Sequence, residues 1–123
     1  MKKTEILKKN YEFKTVFSKG KYYGGKFLEI FIVKTNQNIN KLGIAVSTKT
    51  VNSVKRNKIK RLIRENYRMI ENQLLTGYNF VIIWRKTVKT EYATFINVQN
   101  DIKEIFSKAK IFIEGKNNEE VFN

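Results

Sequence analysis

Apolar residues along this chain recur in two rhythms, and the switches between them mark out the elements. Phe13, Val16 and Phe17, spaced three and four apart, form the stripe of a short helix over 10–18, with Asn10 as N-cap and Gly20 as a left-handed stop. A loop over 21–25, broken by Gly24 and Gly25, leads into Lys-Phe-Leu-Glu-Ile-Phe-Ile-Val-Lys. This nearly continuous apolar run, 26–34, reads as a strand covered on both faces. After an Asn-rich turn comes a second strand, 41–47, with Leu42, Ile44 and Val46 on one face and Gly43, Ala45 and Ser47 on the other. The small face admits a close neighbour. So short a connection predicts that the two strands pair as an antiparallel hairpin.

Asn52 or Ser53 can cap a long helix over 54–75, closed by Gly77. A third strand, 78–85, centres on Phe80-Val81-Ile82-Ile83-Trp84, and a final helix, 90–110, carries the stripe Tyr92, Phe95, Ile96, Ile102, Ile105 and Phe106. The order is α-β-β-α-β-α. A helix connecting strands two and three makes them parallel. The expected fold is an α/β (α+β) two-layer sandwich with a small mixed sheet, a single domain over 1–123. Its core spans about 5–113, and the polar tail 114–123 is expected to fray.

Composition removes most catalytic chemistry. The 123 residues include no His, no Cys and no Pro. Thiolate nucleophiles, disulfides, imidazole acid–base catalysis and His or Cys metal sites are excluded. Carboxylates remain for metal binding or general acid–base work. No stretch approaches a membrane span, and the N-terminus has no apolar segment of a signal peptide, so a cytoplasmic protein is expected.

The formal net charge of +14 is unevenly placed. Residues 1–26 carry eight Lys against two Glu, and residues 49–68 carry eight cations against Glu65 alone. Residues 69–123 are neutral, with seven charges of each sign. Concentration of this kind is a footprint on a polyanion rather than a solubilising coat. Of only five Arg beside 20 Lys, four are Arg56, Arg61, Arg64 and Arg68. Arg brings a fork that takes phosphate bidentately and stacks on bases, whereas Lys is a point charge.

On a helical wheel, Ile59, Leu62, Ile63, Asn66 and Ile70 gather on the side that packs, with Tyr67 at the border. Lys60, Arg64, Asn57, Arg68 and Arg61 share an outer arc of about 100°. Lys49, Lys55 and Lys58 flank its N-terminal end, where the helix dipole adds positive potential. A solvated face normally alternates signs; this one does not, which points to a nucleic-acid stripe.

Ser53-Val54-Lys55-Arg56-Asn57-Lys58-Ile59-Lys60-Arg61-Leu62-Ile63-Arg64-Glu65 closely resembles the RNR signature of the bacterial ribonuclease P protein subunit. Gly43 to Lys49 resembles that family's Gly-x-x-Val-Ser-Lys-Lys segment. Asn10, Phe13, Val16, Phe17 and Gly20 resemble its first helix, and Arg85-Lys86 the end of its third strand. The resemblance covers roughly residues 5–110. It implies a protein subunit that binds the catalytic RNA and the 5′ leader of precursor tRNA. The RNA subunit performs the magnesium-dependent hydrolysis. The implied fold has a left-handed βαβ crossover, where general rules would favour a right-handed one. No cofactor is expected on the protein itself. The expected partners are the two RNAs, with no DNA, membrane or obligate protein partner.

By the same resemblance, Arg56, Asn57, Lys58, Lys60, Arg61 and Arg64 meet RNA, although Asn57 can instead fix the local backbone. Lys49 and Arg68 join them on helix geometry. Phe13 and Phe17 border a cleft for single-stranded leader, faced by Leu28, Ile30 and Ser47, and both rings could equally be core. Ile30 stands where relatives often have Tyr, Thr48 replaces a common Lys, and Lys58 replaces an Arg of the triplet. Two other readings stay open: a different translation-associated RNA-binding domain, and a protein-only metal nuclease. The second needs acids such as Glu29, Glu65, Glu71 and Asp101 to converge.

Overall fold

The computed structural model describes residues 3–49 and 51–113. The expected frayed tail, 114–123, lies outside the described residues. The elements in chain order are β1 (Thr4–Ile6), α1 (Asn10–Lys19), β2 (Lys21–Gly24), β3 (Leu28–Lys34), β4 (Asn40–Ala45), α2 (Ser53–Ile70), β5 (Tyr78–Trp84) and α3 (Phe95–Lys108). Single 3₁₀ turns lie at Glu71–Gln73 and Thr90–Tyr92. The sheet order is β1-β4-β5-β3-β2.

The expected hairpin does not form. β5 lies between β3 and β4, antiparallel to β3 (Ile30 opposite Ile82) and parallel to β4 (Leu42 opposite Phe80). The turn over 35–39 therefore spans β5, and Thr35 donates its N–H to the Gly77 carbonyl at the entry to that strand. The apolar run Phe80–Trp84 needs cover on both faces and a strand on each side, which only the centre of the sheet supplies. β4, α2 and β5 form the parallel crossover that the element order predicts.

Two strands escape sequence detection. β1 is three residues long and pairs parallel with β4; β2, read above as loop, pairs antiparallel with β3. Both are short edge strands with exposed residues, so neither shows an apolar rhythm.

Alternation along the strands divides the molecule into two unequal halves. Leu28, Ile30 and Ile32 of β3, Leu42 of β4, and Phe80, Ile82 and Trp84 of β5 face α2 and α3. There they meet Ile59, Ile63, Tyr67 and Ile70 from α2, and Val98, Ile102, Ile105 and Phe106 from α3. The opposite face is covered, among the described residues, by α1 and the segment leading into it, where Leu7 and Val16 meet Val81 of β5, with Phe13, Phe31, Val33 and Ile83 around them. The close neighbour admitted by Gly43 is the Phe13 ring, which a Cβ at that position would meet at 2.6 Å.

The final helix starts later than its stripe suggests. Thr94 caps it, accepting from Asn97 N–H at 3.2 Å, so Tyr92, Phe95 and Ile96 fall at or before the first turn and stay exposed. Gly20 has an extended φ of −78° and is no left-handed stop, whereas Gly77, at φ 95°, sits in the turn before β5. Asn10 opens α1 as its first residue instead of capping it; Lys9 holds the cap position.

Polar groups fasten the periphery to this core. Asp101, 3% exposed on α3, accepts N–H bonds from Lys26, Phe27 and Leu28 at 3.2, 2.7 and 2.8 Å. Glycine at position 25 leaves room for this carboxylate, since a Cβ there would lie 2.5 Å from it and force Asp101 to shift. The Tyr67 hydroxyl and Thr4 Oγ1 lie 2.8 Å apart in the interior, docking β1 on α2, and burial pushes the Tyr67 phenol up to about 12. Glu12 pairs with Lys41 at 3.0 Å and accepts from Lys9 N–H, joining the start of α1 to β4. The Lys41 ammonium holds the Glu12 carboxyl below its ordinary range, and Glu12 raises Lys41 in turn.

Two outcomes follow. Asp101→Asn, keeping size but losing the charge and one acceptor, should destabilise the fold by about 2 kcal/mol in urea titrations. Glu12→Gln should lower stability at neutral pH. A depressed carboxyl stabilises the fold above the ordinary glutamate pKa and loses that contribution as pH falls through the depressed value. The gap from wild type should therefore close in that acid window, read as converging urea midpoints.

Candidate nucleic-acid interface

α2 is built to bury one side and present cations on the other. Asn52 caps it, accepting from Lys55 N–H at 2.9 Å. Ile59, Ile63, Asn66, Tyr67 and Ile70 are buried. Tyr67, placed at the border by the wheel, is fully enclosed, while Leu62 is only partly so. Lys55, Asn57, Lys58, Arg61 and Arg68 are exposed, as is Lys49 before the helix. Asn57 makes no cap; Asn52 does. Among the described residues, no ion pair ties an α2 cation to an acid; the pairs found are Lys41–Glu12, Arg85–Glu29 and Lys108–Glu104. The potential of the stripe is left unneutralised.

Arg56 departs from this arrangement. It sits on the inward side of the first turn, and its Nη1 donates to the Val51 carbonyl at 2.8 Å. Its guanidinium secures the approach to α2 as well as adding charge. Lys60 and Arg64 are half-buried, and they look across a groove of about 220 Å³ to Ile6, Leu7, Phe13, Leu42 and Ile44. This groove lies where β1 ends and β4 loses its neighbour, so the cations of α2 reach the edge of the face that carries α1.

That face holds a row of aromatic rings. Phe17, 41% exposed, meets Phe31 edge-to-face at 5.1 Å, and Tyr22, 45% exposed, meets Phe31 from the other side at 5.2 Å. The Tyr22 hydroxyl donates to Glu29 at 2.6 Å, a bond that raises the Tyr22 pKa because ionising the phenol would break it. Glu29 and Arg85 close the row at 3.6 Å from one another.

The positions expected to line a cleft separate. Phe13 and Phe17 lie on the α1 face, Phe13 packed over Gly43 and Phe17 open. Leu28 and Ile30 do not face it: both are fully buried on the opposite side, against α2 and α3. β3 presents Glu29, Phe31 and Val33 to α1 instead, and the aromatic on that strand is Phe31. The signal was available in Glu29, the one charged residue inside the run 27–33, whose parity marks the wetter face. Ser47 lies past the end of β4, beside a pocket of about 290 Å³ shared with Val51 and the loop from Trp84 to Thr90.

The acids do not converge. Glu29 is on the sheet face, Glu65 is exposed on α2, and Glu71 and Asp101 are buried at separate places. Among the described residues no group of three or more His, Cys, Asp or Glu could hold a metal ion. No helix among them is long and apolar enough to cross a membrane.

A ribonuclease P family profile matches residues 1–110. The chain belongs to the ribonuclease P protein family. It is 36% identical over 124 residues to the ribonuclease P protein component of Clostridium beijerinckii, covering 95% of this chain and 94% of that one. It is 37% identical over 111 residues to that of Clostridium botulinum, covering 89% and 98%. The solved ribonuclease P protein of Staphylococcus aureus superposes with a TM-score of 0.78 at 30% identity, over 88% of this chain and 97% of that one. That of Thermotoga maritima gives 0.75 at 26%, over 85% and 96%. A protein subunit of the ribonuclease P ribonucleoprotein is itself non-catalytic, which agrees with a large cationic surface and, among the described residues, no converging acids.

If about six cations meet phosphates, log affinity for RNA should fall against log salt with a slope of roughly −4 to −5. Arg64→Ala should weaken binding and flatten that slope by nearly one unit. Lys86→Ala, on an exposed loop outside the stripe, should do less. Fluorescence titrations across a salt series measure both, and equal losses would show that the charge acts diffusely.

Proposed function

We propose that this protein component of ribonuclease P meets RNA on two adjoining surfaces, and that each does separate work. The protein acts with the catalytic RNA subunit in processing precursor tRNA and is itself non-catalytic. On this reading, the exposed cations of α2, with Lys49 and the N-terminal end of the helix, lie against phosphates of the catalytic RNA. The aromatic row Phe17, Phe31 and Tyr22 receives the single-stranded 5′ leader. Stacking on rings tolerates any sequence, which suits a leader that differs from one tRNA to the next.

The observation that supports this reading is the position of Lys60 and Arg64. They stand in the groove between α2 and the α1 face, beside Phe13, so one continuous cationic edge joins the two surfaces. A leader on the rings would pass close to the RNA held by α2. Magnesium ions would act through the catalytic RNA, where they supply the charge for hydrolysis. The residues of this chain bind, orient and neutralise. The compartment this implies is the cytoplasm.

Reconstitution with a bacterial ribonuclease P RNA should stimulate precursor-tRNA cleavage at low magnesium, whereas the RNA-free protein should cut nothing. Absence of stimulation would overturn the reading. Phe17→Ala with Phe31→Ala should weaken binding of leader-bearing precursor by about tenfold and leave mature tRNA unaffected.

A further inference from the structure

The aromatic row ends on an acid. Glu29 projects from β3 on the α1 face, and its Oε2 accepts from the Tyr22 hydroxyl at 2.6 Å and lies 3.6 Å from Arg85 Nη1. Arg85 is itself anchored, with Nε donating to the Gly25 carbonyl at 2.8 Å. The Glu29 and Arg85 side chains remain 29% and 28% exposed. Oε1 of Glu29 has no partner among the described residues.

A carboxylate is out of place on a surface that receives a polyanion, since it repels phosphate. What it can accept is an N–H, and unpaired RNA offers those on the edges of its bases. Guanine alone among the four bases presents two adjacent donors, N1–H and the N2 amino group. Adenine and cytosine present one amino group beside a ring nitrogen that a carboxylate repels. In uracil, N3–H lies between two carbonyls. Guanine also places O6 next to N1–H, where a guanidinium beside the carboxylate would donate.

We propose that Glu29, oriented by Tyr22 and Arg85, selects guanine in the single-stranded RNA lying on the aromatic row. The inference rests on the leader-binding reading above and adds sequence preference at one end of an otherwise sequence-tolerant surface.

The test uses the full chain and uridine hexamers carrying one guanine, inosine, adenine or cytosine, titrated at fixed salt. Wild type should favour the guanine hexamer over the adenine and cytosine hexamers by about tenfold, as a good bidentate base contact does. Inosine, which lacks the N2 amino group, should lose most of that gain. In Glu29→Gln the guanine and inosine hexamers should bind alike, while the others tighten slightly as a negative charge is removed. Equal affinities in wild type, or one uniform factor across all hexamers in Glu29→Gln, would overturn the proposal. Phe31→Leu separates the two levels. If it binds every hexamer as wild type does, the leader-binding reading is wrong and this proposal falls with it. If it weakens them all while wild type shows no guanine preference, the guanine proposal alone is overturned.

Discussion

The pairing of β5 with β4 on one side and β3 on the other governs the rest of the molecule. The strand Tyr78–Trp84 fills the centre of the sheet, and its ladders set the parity of every neighbouring position. Phe80, Ile82 and Trp84 point to α2 and α3, and Val81 to α1. Once that parity is set, Leu28 and Ile30 must be core, and Glu29 and Phe31 must share the face with Phe17. A slip of one residue would exchange the two sets and remove the aromatic row.

The cationic helix depends on the same arrangement. Like charges along one helix face repel, and an isolated helix of this composition would be poorly stable. Burial of Ile59, Ile63, Tyr67 and Ile70 against β4, β5 and α3 offsets the repulsion. The neutral second half of the chain has its place here. It supplies β5 and α3, the apolar surface against which the first half can hold its charge unpaired. Asp101 serves the same division from within α3, where its carboxylate gathers three N–H groups of the segment leading into β3.

The functional surface is accordingly uneven in character. The proposed division of labour gives long-range attraction to α2, whose cations pair with no acid among the described residues. The same proposal gives contact with unpaired bases to the α1 face, where Phe17 and Tyr22, at 5.1 and 5.2 Å from Phe31, are partly open. The groove with Lys60 and Arg64 lies where β1 stops after three residues and leaves the rest of β4, among the described residues, without a strand on that edge. A longer first strand would have closed it.

Much of this was legible in the chain itself. The long helix, its buried and cationic sides, and the parallel relation of β4 and β5 follow from local periodicity and connection length, both of which are properties of neighbouring residues. So do the excluded chemistries and the RNR segment. Strand neighbours, by contrast, are chosen among distant segments, and a five-residue turn is as compatible with spanning a third strand as with closing a hairpin. The face of β3 was ambiguous for a related reason: a run that is apolar on both sides has no visible alternation. Arg56 shows the same limit within a helix, where composition marks it as a cation for RNA and only the fold reveals the Val51 carbonyl it holds. The sequence by itself determined the partner class and the stripe, because charge and helical period are local. Only the tertiary structure decided which aromatic rings stand together and that an acid stands at their end, because that depends on β5 entering between two strands adjacent in the chain.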